Sequence, residues 1–260
     1  MEKVPFASLS LWYGFSSNFV RLEGGEGKVF IGKDKMKKRR VKIKRINDFA
    51  VILLEREVEA LRRLETLNNP HIPLVYDNFV EKNVPFLVTE YIEGSSLSDL
   101  AQEFRNMESK ELDRFFSEIS SLLAAVHSQE VIHRDISPGN LLREANTGSY
   151  HNIDFAVASI GGRCFGVSGK EEYMCPVHKK TSEIYPSSDL YSFGVTVCEL
   201  LRVPKPHNET LESLVKAFRE GGEQQFNEEK KRRKPINQNF PHYLCEVIFK
   251  MIKPSIQERY

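Results

Sequence analysis

The chain has 260 residues, 40% of them hydrophobic and 28% charged, with a formal net charge of +1. That balance belongs to a soluble globular protein with room for a substantial core, and it points to no particular charged partner. Four scattered cysteines without C-x-x-C spacing exclude a zinc ribbon or a disulfide framework and predict a reducing compartment. No run approaches the length of a membrane span, and residues 1–15 lack the basic-then-apolar pattern of a secretory signal, so the expected setting is cytoplasmic.

In chain order, Phe19–Leu22 and Val29–Gly32 flank a glycine-rich turn, and Val41–Ile46 alternates at period two, so three strands are expected. Leu54, Val58, Leu61 and Leu64 recur at helical spacing, which predicts a helix over Leu53–Leu67 stopped by Asn68-Asn69-Pro70. Pro85–Ile92 reads as a buried strand, broken at Glu93-Gly94-Ser95-Ser96. Beyond the break helices are expected over Leu112–Ser128, Leu190–Leu201, Leu211–Arg219 and His242–Ile252. The reading is a small strand-rich lobe, a hinge and a larger helical lobe.

Two basic clusters stand out. Lys33–Arg45 holds nine Lys or Arg, and Glu228–Pro235 contains Lys-Lys-Arg-Arg-Lys. Neither is interleaved with aromatics for base stacking, so a solvated hairpin and a surface loop are expected and no nucleic-acid partner is.

The chemistry concentrates in His133-Arg-Asp-Ile-Ser-Pro-Gly-Asn140. Phosphoryl transfer needs a carboxylate to orient and deprotonate the attacking hydroxyl, and oxygen ligands to place Mg²⁺. Asp135 and Asn140, five residues apart, offer both; nineteen residues past Asp135, Asp154 ends an apolar run and suits the hard cation.

These motifs resemble the eukaryotic-type protein kinase family over nearly the whole chain, from about Phe19 to Arg259: the H-R-D-x-x-x-x-N loop as His133–Asn140 and the D-F-G element as Asp154-Phe155-Ala156. The resemblance implies a two-lobed α+β protein kinase fold, one kinase domain over residues 1–260. Its N-lobe would be about 15–92, with β-strands and one main helix, its hinge about 90–96 and its helical C-lobe about 97–260. It implies ATP and Mg²⁺ as cofactors, a protein substrate, serine or threonine as acceptor before tyrosine, Asp135 as base, and Asn140 and Asp154 as metal ligands. Leu22-Glu-Gly24-Gly25-Glu-Gly27-Lys-Val29 is similar to the phosphate-covering loop, with Leu22 at its first glycine. Val41-Lys-Ile-Lys44 matches the strand that makes Lys44 the phosphate partner, with Lys42 as an alternative register. Glu57 is its expected carboxylate, Glu55 and Glu59 being the neighbouring candidates. Thr89 falls at the gatekeeper, and Glu90 to Ile92 would offer backbone groups to adenine. Leu61, His133 and Phe155 would stack as a spine. Gly169–Pro176 resembles the substrate-receiving segment, Ser188–Gly194 the element whose Asp189 holds the catalytic loop, and Lys253-Pro254…Arg259 the closing signature.

The departures carry information too. A long cation sits where the family has a small residue over adenine. Ser137 replaces the usual loop lysine and Lys170 a threonine, which suggests an exchange in which Lys170 donates the catalytic cation. Val177 replaces a glutamate, so Arg259 is expected to be exposed or paired elsewhere, and the chain reads as a minimal domain. Ser159, Ser168 and Tyr173 are phosphorylation candidates in the 154–177 segment, Ser168 first. A scaffold that binds without catalysing is the main alternative function, a small-molecule kinase a lesser one.

Overall fold

The computed structural model describes residues 13–21, 27–46, 51–162, 166, 168–181, 183–234 and 236–259. They form two compact units, one running to Glu93 and taking in Ile153–Val157, the other comprising Gly94–Asn152 and the chain from Ala158.

The first unit is β-rich with one main helix. Strands β1 (Tyr13–Arg21), β2 (Gly27–Asp34), β3 (Arg39–Ile46), β4 (Val75–Glu81) and β5 (Val84–Glu90) form one antiparallel sheet in the order β1-β2-β3-β5-β4. The period-two pattern of β3 decides which way it faces. Val41 and Ile43 are fully buried, packing in a core with Tyr13, Phe86 and Val88, which leaves Lys42 and Lys44 to the other face. At the β2–β3 turn the Asp34 carboxylate accepts the N–H groups of Met36 and Lys37, so the turn is fixed by an acidic cap inside a basic cluster.

Helix α1 (Val51–Leu64) buries Leu54, Ala60, Leu61 and Leu64 together with Glu57. It ends earlier than its apolar spacing suggests, because Glu65–Leu67 tightens into a 3₁₀ turn closed by Asn68 in the left-handed region, φ 46°. Strand β4 has no counterpart in the sequence reading; its residues are mostly half-buried, so no clean alternation marks it.

The second unit is mainly helical. Helix α2 (Ser109–Ser128) buries Leu112, Phe115, Ile119, Leu122, Leu123 and Val126. After it come helices α3 (Pro176–Thr181), α4 (Pro186–Leu200), α5 (His207–Arg232) and α6 (His242–Met251). Phe115 is the core's hub, meeting Phe104, Tyr150 and Phe193 edge-on at 4.9–5.7 Å between ring centres. Small ladders carry the loops: β6 (Gly94–Ser96) and β9 (Tyr150–Asn152) flank β8 (Leu141–Glu144), and β7 (Val131–Ile132) pairs with β10 (Ser159–Ile160).

The surface loop expected over Glu228–Pro235 is, up to Arg232, the last turns of α5. Within it Lys230 is buried and its ammonium donates to the Phe240 carbonyl at 2.9 Å. Burial lowers its pKa, and charge alone gave no sign of this inward turn. A kink at Gly221–Gly222, with Gly222 at φ 64° and ψ −155°, divides α5 in conformations that suit glycine.

Candidate active site

In the second unit the site is the loop that follows β7. Its anchor is Asp189, in the first turn of α4 and fully buried. The carboxylate accepts the backbone N–H groups of His133 and Arg134, both at 2.8 Å, and lies 2.8 Å from His127 Nε2 at the end of α2. Burial alone would raise its pKa; the His127 bond and charge, with the His133 and Arg134 interactions, outweigh that and hold it below the ordinary value. Arg134 takes a left-handed conformation, φ 70°, a strain that the two bonds to Asp189 offset.

Thus held, the loop presents Asp135. One carboxylate oxygen accepts the Lys170 N–H at 2.9 Å; the other accepts Asn140 Nδ2 at 2.6 Å. That same amide nitrogen donates to the Asp135 carbonyl at 2.8 Å, so the nitrogen end of Asn140 is committed and its oxygen is turned away from Asp135. A carboxamide fixed in this way offers an oxygen donor, the type a hard divalent cation takes. Ser137, fully buried, accepts the Lys170 ammonium at 3.0 Å. Lys170 and Ser137 are thus brought together as the sequence suggests.

In the first unit Lys44 lies 2.8 Å from Glu57 and 3.0 Å from Asp154, and both Lys44 and Glu57 side chains are almost fully buried. The ammonium that reaches Glu57 is that of Lys44; Lys42 is half-buried opposite Thr89. Glu55 and Glu59, one residue pair to either side on α1, are exposed. Burial pulls the Lys44 pKa down, but Glu57 and Asp154 overcome it and raise the pKa above the ordinary lysine value. For Asp154 burial works upward, and Lys44 followed by Lys42 drives it well below the usual carboxylate range. Asp154 is therefore a fixed anion at neutral pH, in a left-handed turn with φ 69°, and as an ionised oxygen donor it too suits Mg²⁺.

Of the remaining sequence-derived residues, Leu22, Gly24 and Gly25 lie outside the described residues. Gly27 opens β2 opposite Ile46, and Val29 is buried beside Lys44 in register. Glu90 donates its N–H to the Leu74 carbonyl at 2.8 Å, and Ile92 is half-buried. Leu61, His133 and Phe155 are all buried. Arg259 is buried rather than exposed. It is held by the carbonyls of Lys253, Pro254 and Ser187, by Cys175 Sγ at 3.1 Å, and by the Tyr191 ring. Among the phosphorylation candidates, Ser159 is buried in β10, Tyr173 bonds Glu199, and Ser168 is half-buried. Sequence reasoning missed His127, six residues before the loop, which nothing in its local pattern marks; it placed Gly169 at the head of the substrate-receiving segment but not its close approach to Arg134.

A model of the protein kinase domain matches residues 23–260. Among curated proteins the chain is similar to serine/threonine-protein kinase B of Synechocystis sp., 29% identical over 80% of this chain and 36% of that one. It is similar also to serine/threonine-protein kinase PrkC of Bacillus subtilis, 28% over 70% of this chain and 29% of that one. A third is serine/threonine-protein kinases drp72 of Corynebacterium efficiens, 31% over 70% and 38%. The chain spans about a third of the length of these relatives.

Proposed function

This chain belongs to the protein kinase domain family, and on that premise we propose that it transfers the γ-phosphoryl group of Mg·ATP to a serine or threonine hydroxyl of a protein. The observation that carries the reading is the Asp135 carboxylate, held at both oxygens by Lys170 N–H and Asn140 Nδ2 inside a loop fastened to buried Asp189. A base oriented before the substrate arrives lowers the barrier by positioning as well as by proton transfer.

Bound Mg·ATP supplies the electrophilic phosphorus and the metal's charge. Asp135 accepts the proton of the acceptor hydroxyl as its oxygen bonds to that phosphorus and the bond to ADP breaks. Asn140 and Asp154 are the proposed metal ligands, and Lys44, oriented by Glu57, the proposed partner of the α- and β-phosphates. The glycine-rich stretch Leu22–Val29 with Glu90 and Ile92 is the proposed cover and adenine edge. Relatives named as serine/threonine kinases support the choice of acceptor. Free, buried Cys175, Cys198 and Cys245 support a reducing, cytoplasmic setting for this domain.

The test is phosphate transfer from labelled Mg·ATP to the protein itself and to a generic basic protein, with Asp135→Asn in parallel. Transfer by the wild type and a loss of about 10²-fold or more in the variant is expected. No transfer, with no ATP-induced rise in melting temperature, would make the chain a scaffold rather than an enzyme.

A further inference from the structure

We propose that Lys170 performs two tasks in one residue: its backbone N–H aims the Asp135 base, and its ammonium is the cation that neutralises the transferring phosphoryl group. This rests on the kinase reading above and names a catalytic residue on the substrate-facing segment rather than on the loop.

The segment approaches the loop very closely at Gly169. A Cβ at Gly169 would lie 2.3 Å from the Arg134 carbonyl oxygen, and its φ of 108° is one that L side chains rarely adopt. Only glycine lets residue 170 come near enough for its N–H to reach Asp135 at 2.9 Å. From there the side chain folds back onto the loop, its ammonium 3.0 Å from Ser137 Oγ. The loop makes room for it with a second glycine: a Cβ on Gly139 would stand 3.2 Å from Nζ. A glycine on each side of the approach thus brings the Lys170 N–H to Asp135 and lets its ammonium lie against the loop at Ser137.

Such a cation has a chemical purpose. In phosphoryl transfer, negative charge is spread over three equatorial oxygens, and stabilisation comes from preorganised positive charge beside them. The loop's own position 137 carries a serine, which has none to give. The neighbouring cation, Arg134, donates to the Gly166 carbonyl and lies 3.3 Å from His178 Nε2, a different set of partners. Lys170 has its ammonium tethered within the loop that carries Asp135. The tether is to a neutral hydroxyl rather than to a carboxylate.

Four variants and one footprint test this. Lys170→Ala should lower kcat about 10²-fold with KM for ATP within a few-fold, the size of one lost electrostatic donor. Lys170→Arg should retain part of the rate. The double variant Ser137→Lys/Lys170→Thr should recover at least tenfold over Lys170→Ala, since it returns the cation to the same place from the loop side. Gly169→Ala should lose more than Lys170→Ala, because it withdraws the N–H from the base as well. Independently of turnover, acetic anhydride labelling of Lys170, read by mass spectrometry, should be suppressed by a non-hydrolysable Mg·ATP analogue more than by Mg·ADP. Lys170→Ala within threefold of wild type, equal labelling with both nucleotides, or a double variant no better than the single would each overturn the proposal. A wild type without transfer defeats the kinase reading itself; a wild type that transfers, with Asp135→Asn dead and Lys170→Ala active, defeats only this inference.

Discussion

At the scale of single residues, the strongest electrostatic commitment is Lys44 between Glu57 and Asp154. Two carboxylates share one buried ammonium, and removing it leaves the almost fully buried Glu57 without its cation and Asp154 with the more distant charge of Lys42 alone. Lys44→Met should destabilise the protein by about 3–5 kcal/mol at pH 7, the range seen when one partner of a buried pair is deleted. The pH dependence follows from the directions of the shifts. Asp154, lowered on folding, contributes stability above the ordinary carboxylate pKa and loses it as pH falls through its folded value. Lys44, raised on folding, contributes below the ordinary lysine pKa and loses it as pH rises through its folded value. The wild-type contribution is therefore flat from about pH 4 to pH 10. In Lys44→Met the upward push of burial on Asp154 loses its main opponent, so the deficit should shrink between pH 7.5 and pH 5.5 in urea titrations. A deficit equal at both pH values would show that the loss is one of packing rather than charge.

At the scale of elements, packing between helices sets what the second unit tolerates. Helix α4 passes α6 at Gly194, where a Cβ would lie 2.7 Å from Ile252 Cγ2 and 3.1 Å from Met251 Cβ. Gly194→Ala should cost about 1–3 kcal/mol by overpacking. Ile252→Ala in the same chain should recover part of it, so a double-mutant cycle with no coupling would refute the contact as the cause. The elements also show what could be read from sequence. Helices α2 and α6 were legible because their apolar residues recur every three or four positions and one face is buried. Strand β4 was not, since its half-buried side chains blur the alternation. The inward turn of Lys230 was not, because a charged run looks solvated until a carbonyl is found to receive one of its members. At the site, the residue types and spacings of Asp135, Asn140, Lys44 and Asp154 pointed to the chemistry. The choice between Lys42 and Lys44 needed the sheet register, and the roles of His127 and Gly169 needed through-space distances.

At the scale of the whole molecule, the thiols report on folding. Burial raises Cys198 well above its ordinary pKa and pushes Cys245 up to about 12. Thiolate is the nucleophile in alkylation, so both should resist iodoacetamide at pH 8 in the folded protein. Labelling across a urea gradient should follow the loss of far-UV circular dichroism. Reaction of either cysteine well before that transition would reveal a local opening between α4 and α6 instead of global unfolding.

The first unit is built from two pieces of chain, residues up to Glu93 and the short Ile153–Val157, and Asp154 belongs to the second piece. During synthesis the ribosome must add 61 residues after Glu93 to reach and include Asp154, which at about 5–20 residues per second takes about 3–12 s. For that interval the emerging chain contains Lys44 of β3 and Glu57 of α1 but not Asp154. The three-charge arrangement of Lys44, Glu57 and Asp154 is therefore complete only when the polypeptide returns to a unit it left more than fifty residues earlier. The earliest moment at which this unit can be completed is thus set by translation speed.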